Sequence, residues 1–147
     1  MGSILFEDIF VVEGKDTQGK YFDKVSRFEC QGENYEMELT LDINTDIYPL
    51  KVGTKLTLAL ATSISLDGGT EERGYNVREA EGESLADNYE YVMYGKVFKF
   101  EQVKGSAARL AICVSFGGLL MQLTGDPRNL HGISLDKNLY LLIRKAY

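Results

Sequence analysis

Hydrophobic residues recur at every second position in three stretches of the chain. In residues 37–43 the apolar side chains alternate with Glu, Thr and Asp, and residues 56–60 and 110–116 repeat the alternation. A period of two is that of a β-strand with one apolar face, whereas an amphipathic helix repeats about every 3.6 residues. A further apolar run, 119–123, follows the Gly117-Gly118 pair, which predicts a tight hairpin between two strands.

Less regular strands are expected at residues 4–12, 21–31, 91–103 and 139–145, which brings the total to about eight. A half-buried sheet of this length has to curl or close in order to cover its apolar face and protect its edges. We therefore predict an all-β fold, an antiparallel barrel of about eight strands that is closed or nearly closed. Only short helical pieces are expected, around residues 45–48 and 84–89.

The stretch 67–83 differs from the rest of the chain, because it is rich in Gly, Thr, Glu, Arg and Asn and poor in apolar residues. We interpret it as a long exposed loop that is mobile unless a partner holds it. The length of 147 residues, with no linker, internal repeat or low-complexity tract, predicts a single domain over residues 1–147.

Composition narrows the possible functions. The formal net charge of −6 argues against a free-standing nucleic-acid binder, because phosphate contacts need clustered Lys and Arg. The longest apolar stretch, 110–123, is interrupted by Gly117-Gly118 and too short to span a bilayer, so no membrane contact is expected. Cys30 and Cys113 both lie in apolar, strand-like runs, where an unpaired cysteine acts as a small hydrophobic residue.

Two segments approach known ion-binding motifs and depart from them at decisive residues. Residues 14–20 have the spacing of a phosphate-binding loop, but Tyr21 stands where Ser or Thr would coordinate magnesium, and a strand follows instead of a helix. Residues 42–46 open like a calcium loop, but Ile47 replaces the glycine of its turn. We interpret the first as a hairpin loop and the second as a strand end whose Asp and Asn bond to turn backbone.

The residues that catalysis would need are scarce. His131 is the single histidine, and no serine or cysteine motif surrounds it. One histidine and two distant cysteines do not make a zinc site. We therefore expect a non-catalytic protein with no cofactor, no metal and no small-molecule substrate. A barrel with an interior ligand cavity ranks last, because the inward Leu, Met and Phe side chains suffice to fill a barrel of this size.

Aromatic and basic residues occur together in one part of the chain. Barrels that bind single strands stack bases on strand aromatics and hold phosphates with nearby cations. A single-stranded nucleic-acid-binding module is therefore the alternative function, with contacts that are weak and non-specific at most. Against it, strand aromatics in a small barrel usually pack in the core or across strands. The candidate contacts to single-stranded DNA are Lys20, Tyr21, Lys24, Arg27 and Phe28.

Seven segments, in order along the chain, resemble a known family: the small eighth subunit shared by eukaryotic RNA polymerases I, II and III. They are LFEDIF at 5–10, KVSR at 24–27, LTLDIN at 39–44, LAD at 85–87, YEYVMYG at 89–95, VSFGGLLM at 114–121 and YLLIRK at 140–145. The resemblance spans nearly the whole chain. It leaves out residues 67–83, where the family varies most.

The resemblance implies a barrel related to the oligonucleotide-binding fold and a non-enzymatic subunit in the nucleus, including the nucleolus. It also implies docking mainly on the largest polymerase subunit. Aromatic, Met and Arg side chains tend to anchor such contacts, and glycines allow close backbone approach. One hypothesis is that an edge strand there pairs with a strand of the partner, and the alternative is that the glycines serve only turns and bulges. The candidate docking residues are Tyr94, Gly95, Ser115, Gly117, Gly118 and Arg144.

Overall fold

The computed structural model describes residues 4–20, 22–64, 84–103 and 109–146, and in it the chain forms a closed, eight-stranded antiparallel β-barrel. The predicted all-β class and the number of strands are confirmed. Two 3₁₀ helices within the described ranges, Leu85–Asn88 and Pro127–Asn129, flank the strands. The strands are β1 (Ile4–Lys15), β2 (Val25–Gly32), β3 (Glu38–Asn44), β4 (Lys55–Ala61), β5 (Tyr91–Val103), β6 (Arg109–Phe116), β7 (Leu119–Gly125) and β8 (Asn138–Lys145).

The order of strands around the barrel is β1-β2-β3-β7-β6-β5-β8-β4, and β4 closes the ring against β1. The predicted hairpin at Gly117-Gly118 is confirmed. Both glycines have a positive φ, 66° and 104°, which a two-residue turn between twisted strands requires. The helical piece predicted at 84–89 is confirmed as Leu85–Asn88, and Ser84 caps it with its hydroxyl, which accepts from the amide of Ala86.

Some local predictions need correction. The strand expected at 4–12 continues to Lys15 and the one expected at 21–31 begins only at Val25, so the connection between β1 and β2 lies further along the chain than predicted. The helical piece expected at 45–48 is a turn, in which the amides of Ile47 and Tyr48 both donate to the carbonyl of Asn44, at 3.2 and 3.0 Å. The loop predicted at 67–83 lies outside the described residues.

The barrel interior is a continuous apolar core, because alternate residues of each strand point inward and are buried. Cys30 belongs to this core, and burial raises the pKa of its thiol to about 12. Cys30 and Cys113 are both buried free thiols, as the strand pattern predicts. The largest fully buried side chains are Phe10, Phe28, Met37, Leu39, Leu41, Ile43, Leu56, Leu58, Leu60, Ile112, Met121 and Leu123.

A second, smaller apolar cluster lies on the outside of the barrel. Ala59 and Ala61 of β4 and Leu142 of β8 are fully buried there, with Leu85 and Tyr89 packed against them. The amide of Leu85 donates to the carbonyl of Ile64 at 2.6 Å, which holds this segment against the barrel wall. The cluster therefore removes part of the outer face of β4 and β8 from contact with any partner.

Candidate docking surface

The candidate docking surface lies on the outward face of β5 and its neighbours. Val92, Tyr94 and Lys96 alternate along β5 and face outward, because the residues between them pair with buried positions of β8. The strand register places Ser115 of β6 beside Lys96, Leu120 of β7 beside Ser115, and Tyr140 of β8 beside Tyr94. We call this set the outer patch: Val92, Tyr94, Lys96, Ser115, Leu120 and Tyr140.

The outer patch is rich in apolar surface. Tyr94 is 48% exposed, Leu120 39% and Val92 37%, on a strand face that would normally carry polar side chains. The rings of Tyr94 and Tyr140 pack with their centroids 4.6 Å apart, so Tyr94 already has a rigid support. Exposed tyrosine and leucine side chains that need little ordering are suited to contact with another protein.

The β6–β7 turn borders the outer patch. The amide of Gly118 donates to the hydroxyl of Ser115 at 3.3 Å, which fixes the turn against the end of β6. A Cβ on Gly117 or Gly118 would meet no atom within 4 Å, so nothing packs closely on either residue. Their positive φ values explain the glycines as turn residues. The turn is exposed and leaves free space beside the patch.

Gly95 is required by the packing of the barrel itself. A Cβ on Gly95 would overlap the carbonyl oxygen of Ser115 and come within 2.5 Å of Cδ1 of Phe116. β5 therefore approaches β6 this closely only because residue 95 has no side chain. The alternative interpretation of the glycines, as structural residues, describes Gly95 better than direct contact with a partner.

Arg144 lies outside the outer patch, although it also faces outward on β8. Its guanidinium carbon is 5.7 Å from the ring centroid of Tyr89, and the hydroxyl of Tyr89 donates to Glu7 at 3.2 Å. Burial, and then the Glu7 carboxylate, raises the pKa of Tyr89. Leu142, which lies between Tyr140 and Arg144 on β8, is fully buried in the outer cluster. The structure thus brings Tyr94, Ser115 and the glycine turn together and sets Arg144 apart.

The start of β5 is firmly held. The hydroxyl of Tyr48 donates to the carboxylate of Glu90 at 2.6 Å, and the amide of Lys145 donates to the same oxygen at 3.0 Å. These bonds lower the pKa of Glu90, the Tyr48 bond most. The rings of Tyr48 and Tyr91 stack at 5.2 Å, and the Tyr91 hydroxyl accepts from the amide of Asn44. The part of β5 that carries Val92 and Tyr94 is therefore rigid before any partner binds.

The described candidates for contact with single-stranded DNA do not form an exposed stacking face. Phe28 is fully buried in the core, where no base can reach its ring, so the prediction for this residue is wrong. Its position on the inward side of β2 follows from its pairing with Leu41, a core residue of β3. Tyr21 lies outside the described residues.

The cations of the same segment are mostly engaged. Arg27 makes a bidentate pair with Asp42, Nε to Oδ1 at 2.7 Å and a terminal nitrogen to Oδ2 at 3.0 Å. The ammonium of Lys20 donates to the carbonyl of Val25 at 2.9 Å. Lys24 is exposed. Phe22, beside Lys24, is 69% exposed, but the predicted stacking ring of Phe28 is buried and Arg27 and Lys20 are bonded within the chain, so the described candidates do not combine an exposed ring with several available cations.

The remaining motifs behave as structural features. Asn44 accepts the amide of Asp46 at 3.1 Å, the Asx turn expected at this strand end, whereas Asp42 bonds to β2 and β7. His131 lies exposed in a turn, with Nδ1 2.9 Å from the carbonyl of Arg128. Among the described residues, no group of His, Cys, Asp and Glu has the arrangement of a metal site, and no helix is long and apolar enough to cross a membrane.

Sequence reasoning missed four members of the outer patch, Val92, Lys96, Leu120 and Tyr140. The signal was present in the period-two pattern, because Leu119 and Met121 mark the inward face of β7 and leave Leu120 on the outward one. A large apolar residue at an outward position is the sign of a covered face. Recognising it required knowledge of which strands lie side by side.

Comparison with known proteins gives a consistent result. A family model described as RNA polymerase Rpb8 matches residues 7–145. The chain is 52% identical over 147 residues to "DNA-directed RNA polymerases I, II, and III subunit rpabc3" of Dictyostelium discoideum, covering 99% of this chain and 100% of the relative. It is 50% identical over 142 residues to "DNA-directed RNA polymerases II, IV and V subunit 8B" of Arabidopsis thaliana, covering 97% and 96%. It is 41% identical over 151 residues to the I, II and III subunit RPABC3 of Saccharomyces cerevisiae, covering 99% and 100%.

Proposed function

This chain belongs to the RNA polymerase Rpb8 family, and from that premise we propose that it is a subunit common to RNA polymerases I, II and III. In this proposal it supports transcription by stabilising the assembled enzyme and docks mainly on the largest subunit. The single observation that carries the proposal is near-complete alignment with relatives named as subunits of these polymerases, in organisms as distant as Dictyostelium and yeast.

The proposed role is structural and not catalytic. The outer patch supports it, because exposed aromatic and aliphatic side chains on a rigid barrel suit a lasting protein contact. Its residues offer one cation, Lys96, and no nucleophile next to a general base. A subunit of these enzymes acts in the nucleus, and we propose that this chain is present in the nucleolus as well.

The alternative, a module that binds single-stranded nucleic acid, has weaker support. It needs Phe28 exposed and Arg27 available to phosphates, whereas Phe28 is buried and Arg27 holds Asp42. We therefore keep docking as the proposed function.

A pull-down from nuclear extract at moderate salt tests the proposal, with the retained proteins identified by mass spectrometry. The tagged wild-type chain is expected to recover the largest subunits of more than one RNA polymerase. Leu120→Glu introduces a charge into the outer patch and is expected to reduce recovery about tenfold. Val52→Glu is the matched control, because Val52 is 57% exposed in the turn before β4, away from the patch.

Three results would contradict the proposal. A folded wild-type chain that recovers no polymerase subunit overturns the function itself. Recovery without the largest subunit overturns the proposed partner. Equal losses in Leu120→Glu and Val52→Glu, with both variants folded, overturn the assignment of the outer patch.

A further inference from the structure

β5 is longer than the strands on either side of it, and this leaves part of its backbone without a partner. It pairs with β8 from Tyr91 to Lys96 and with β6 from Lys96 to Val103. β6 ends at Phe116, where the chain turns into β7. Within the described part of the chain, the stretch of β5 from Tyr91 to Tyr94 therefore has a neighbouring strand on its β8 side alone.

The direction of the backbone groups identifies which ones are free. The amide of Val97 donates to the carbonyl of Lys137 and its own carbonyl accepts from the amide of Asp136, so Val97 faces the β8 side. Alternate residues of a strand direct their N–H and C=O groups to the same side, so Gly95 and Met93 also face β8. The N–H and C=O groups of Val92 and Tyr94 then point to the opposite side of β5, where β6 has ended. Their N–H and C=O groups have no strand partner among the described residues.

The turn that ends β6 carries no side chain that could fill the position in line with that strand. An incoming strand would lie there, beyond the Gly117-Gly118 turn, and a Cβ on either glycine would meet nothing within 4 Å. The side chains of Val92 and Tyr94 are themselves 37% and 48% exposed. The start of β5 is already rigid through the bonds of Glu90 and Tyr91 described above. A fixed, unpaired edge of this kind is a template for an added strand.

The other half of β5 is less suitable, although it also lacks a partner on one side. Residues 98–103 extend beyond the end of the β8 pairing. They carry a bulge between Val97 and Lys99 and an exposed pair of charges, Lys99 and Glu101, 3.6 Å apart. Bulges and charged side chains are features that hinder pairing at a strand edge. The stretch from Val92 to Tyr94 carries no charged side chain and no register shift in its pairing with β8.

We propose that the free edge of β5 at Val92 and Tyr94 binds an extended segment of the polymerase subunit on which this chain docks, and that this segment adds a strand beside β5. The inference rests on the proposed function and deepens it. Backbone hydrogen bonds to Val92 and Tyr94 would fix the register of the added strand against β5. The side chains of the outer patch would provide the contact area.

The chemistry of the edge defines the occupant as a protein strand. Free N–H and C=O groups are matched by another backbone, and a nucleic acid would need more cations than Lys96 alone provides. The side chains of Val92 and Tyr94 point outward, and that of Met93 points inward and is half-buried. The incoming segment should therefore carry apolar side chains on both faces and no proline opposite the two free residues.

A pair of substitutions at one position separates the backbone from the side chain. Val92→Pro removes the free N–H and leaves the bonds to β8 in place, whereas Val92→Ala keeps the N–H and removes most of the side chain. In the pull-down from nuclear extract, Val92→Pro is expected to lose about tenfold or more of polymerase recovery. Val92→Ala is expected to stay within about threefold of the wild type. Thermal unfolding of each isolated variant reports whether it folds.

Hydrogen exchange of the wild-type chain provides a test that requires no variant. The amides of Val92 and Tyr94 are expected to exchange fast in the isolated chain and slowly in the purified polymerase, while those of Met93 and Gly95 are slow in both. Any of three results would overturn the inference. The first is equal recovery of polymerase by the proline and alanine variants, and the second is unchanged exchange at Val92 and Tyr94 in the polymerase. The third is pairing of two copies of this chain at this edge. These results leave the proposed function standing, whereas failure of the wild-type chain to recover polymerase overturns the function.

Discussion

Gly95 illustrates how one missing side chain positions two strands of the barrel. The carbonyl of Ser115 and the ring of Phe116 occupy the space that a Cβ would need. Gly117 and Gly118 are glycines for a different reason, because their φ values are positive and nothing packs against them. From sequence alone the three were treated as one group, since period-two alternation shows a strand and does not show how close its neighbour lies. Only the fold separates the two roles.

Substitution by alanine is expected to distinguish these glycines. Gly95→Ala forces β5 away from β6 and is expected to lower the free energy of unfolding by about 3 kcal/mol. Gly117→Ala places a Cβ in open space, and its only penalty is that an alanine must adopt the left-handed backbone conformation. It is therefore expected to lower the free energy of unfolding by about 1 kcal/mol. Urea denaturation of both variants gives the comparison. Similar losses in the two would contradict the packing role of Gly95.

Among the strands, β3 and β7 are joined in part by a side chain. Their ladder runs from Glu38 to Leu41 on β3 and stops there. One residue further on, the carboxylate of Asp42 accepts the amide of Leu120 at 3.0 Å and also holds Arg27 of β2. Asp42 is 6% exposed and thus links three strands where backbone pairing has ended.

Removal of this carboxylate tests the link. Asp42→Ala leaves the amide of Leu120 and the partly exposed guanidinium of Arg27 without their acceptor, and is expected to lower the free energy of unfolding by about 2–3 kcal/mol. Asp42→Asn retains one acceptor oxygen and is expected to lose less. Chemical denaturation at neutral pH measures both, with Asp46→Ala, an exposed aspartate in the next turn, as the control. A loss in Asp42→Ala no greater than in the control would refute the linking role.

The strands themselves were predictable because alternation is a local property, and β5 was predicted with its observed bounds. The order of strands around the barrel was not, because β3 pairs with β7 and β5 with β8 through contacts distant in sequence. The same limit applies to the candidate site. Tyr94 and Ser115 belong to one surface only because β5 and β6 lie side by side, and Arg144 is excluded from it only because an outer segment covers Leu142. The period-two pattern of the sequence predicts the individual strands, whereas the way they assemble depends on strand register and on which faces are buried.

The whole molecule carries a net charge of −6, and two of the clustered cations, Lys20 and Arg27, are bound to its own backbone and to Asp42. We therefore expect a labelled single-stranded oligonucleotide to bind with a dissociation constant above about 10⁻⁴ M at physiological salt, which is the weak end of non-specific affinity. Fluorescence anisotropy at several salt concentrations measures this for the wild type and for Lys20→Ala/Lys24→Ala. The double variant Lys51→Ala/Lys137→Ala removes the same charge from other exposed positions and serves as the control. Micromolar binding with a steep salt dependence that only the first variant flattens would instead establish a nucleic-acid site at the β1–β2 loop.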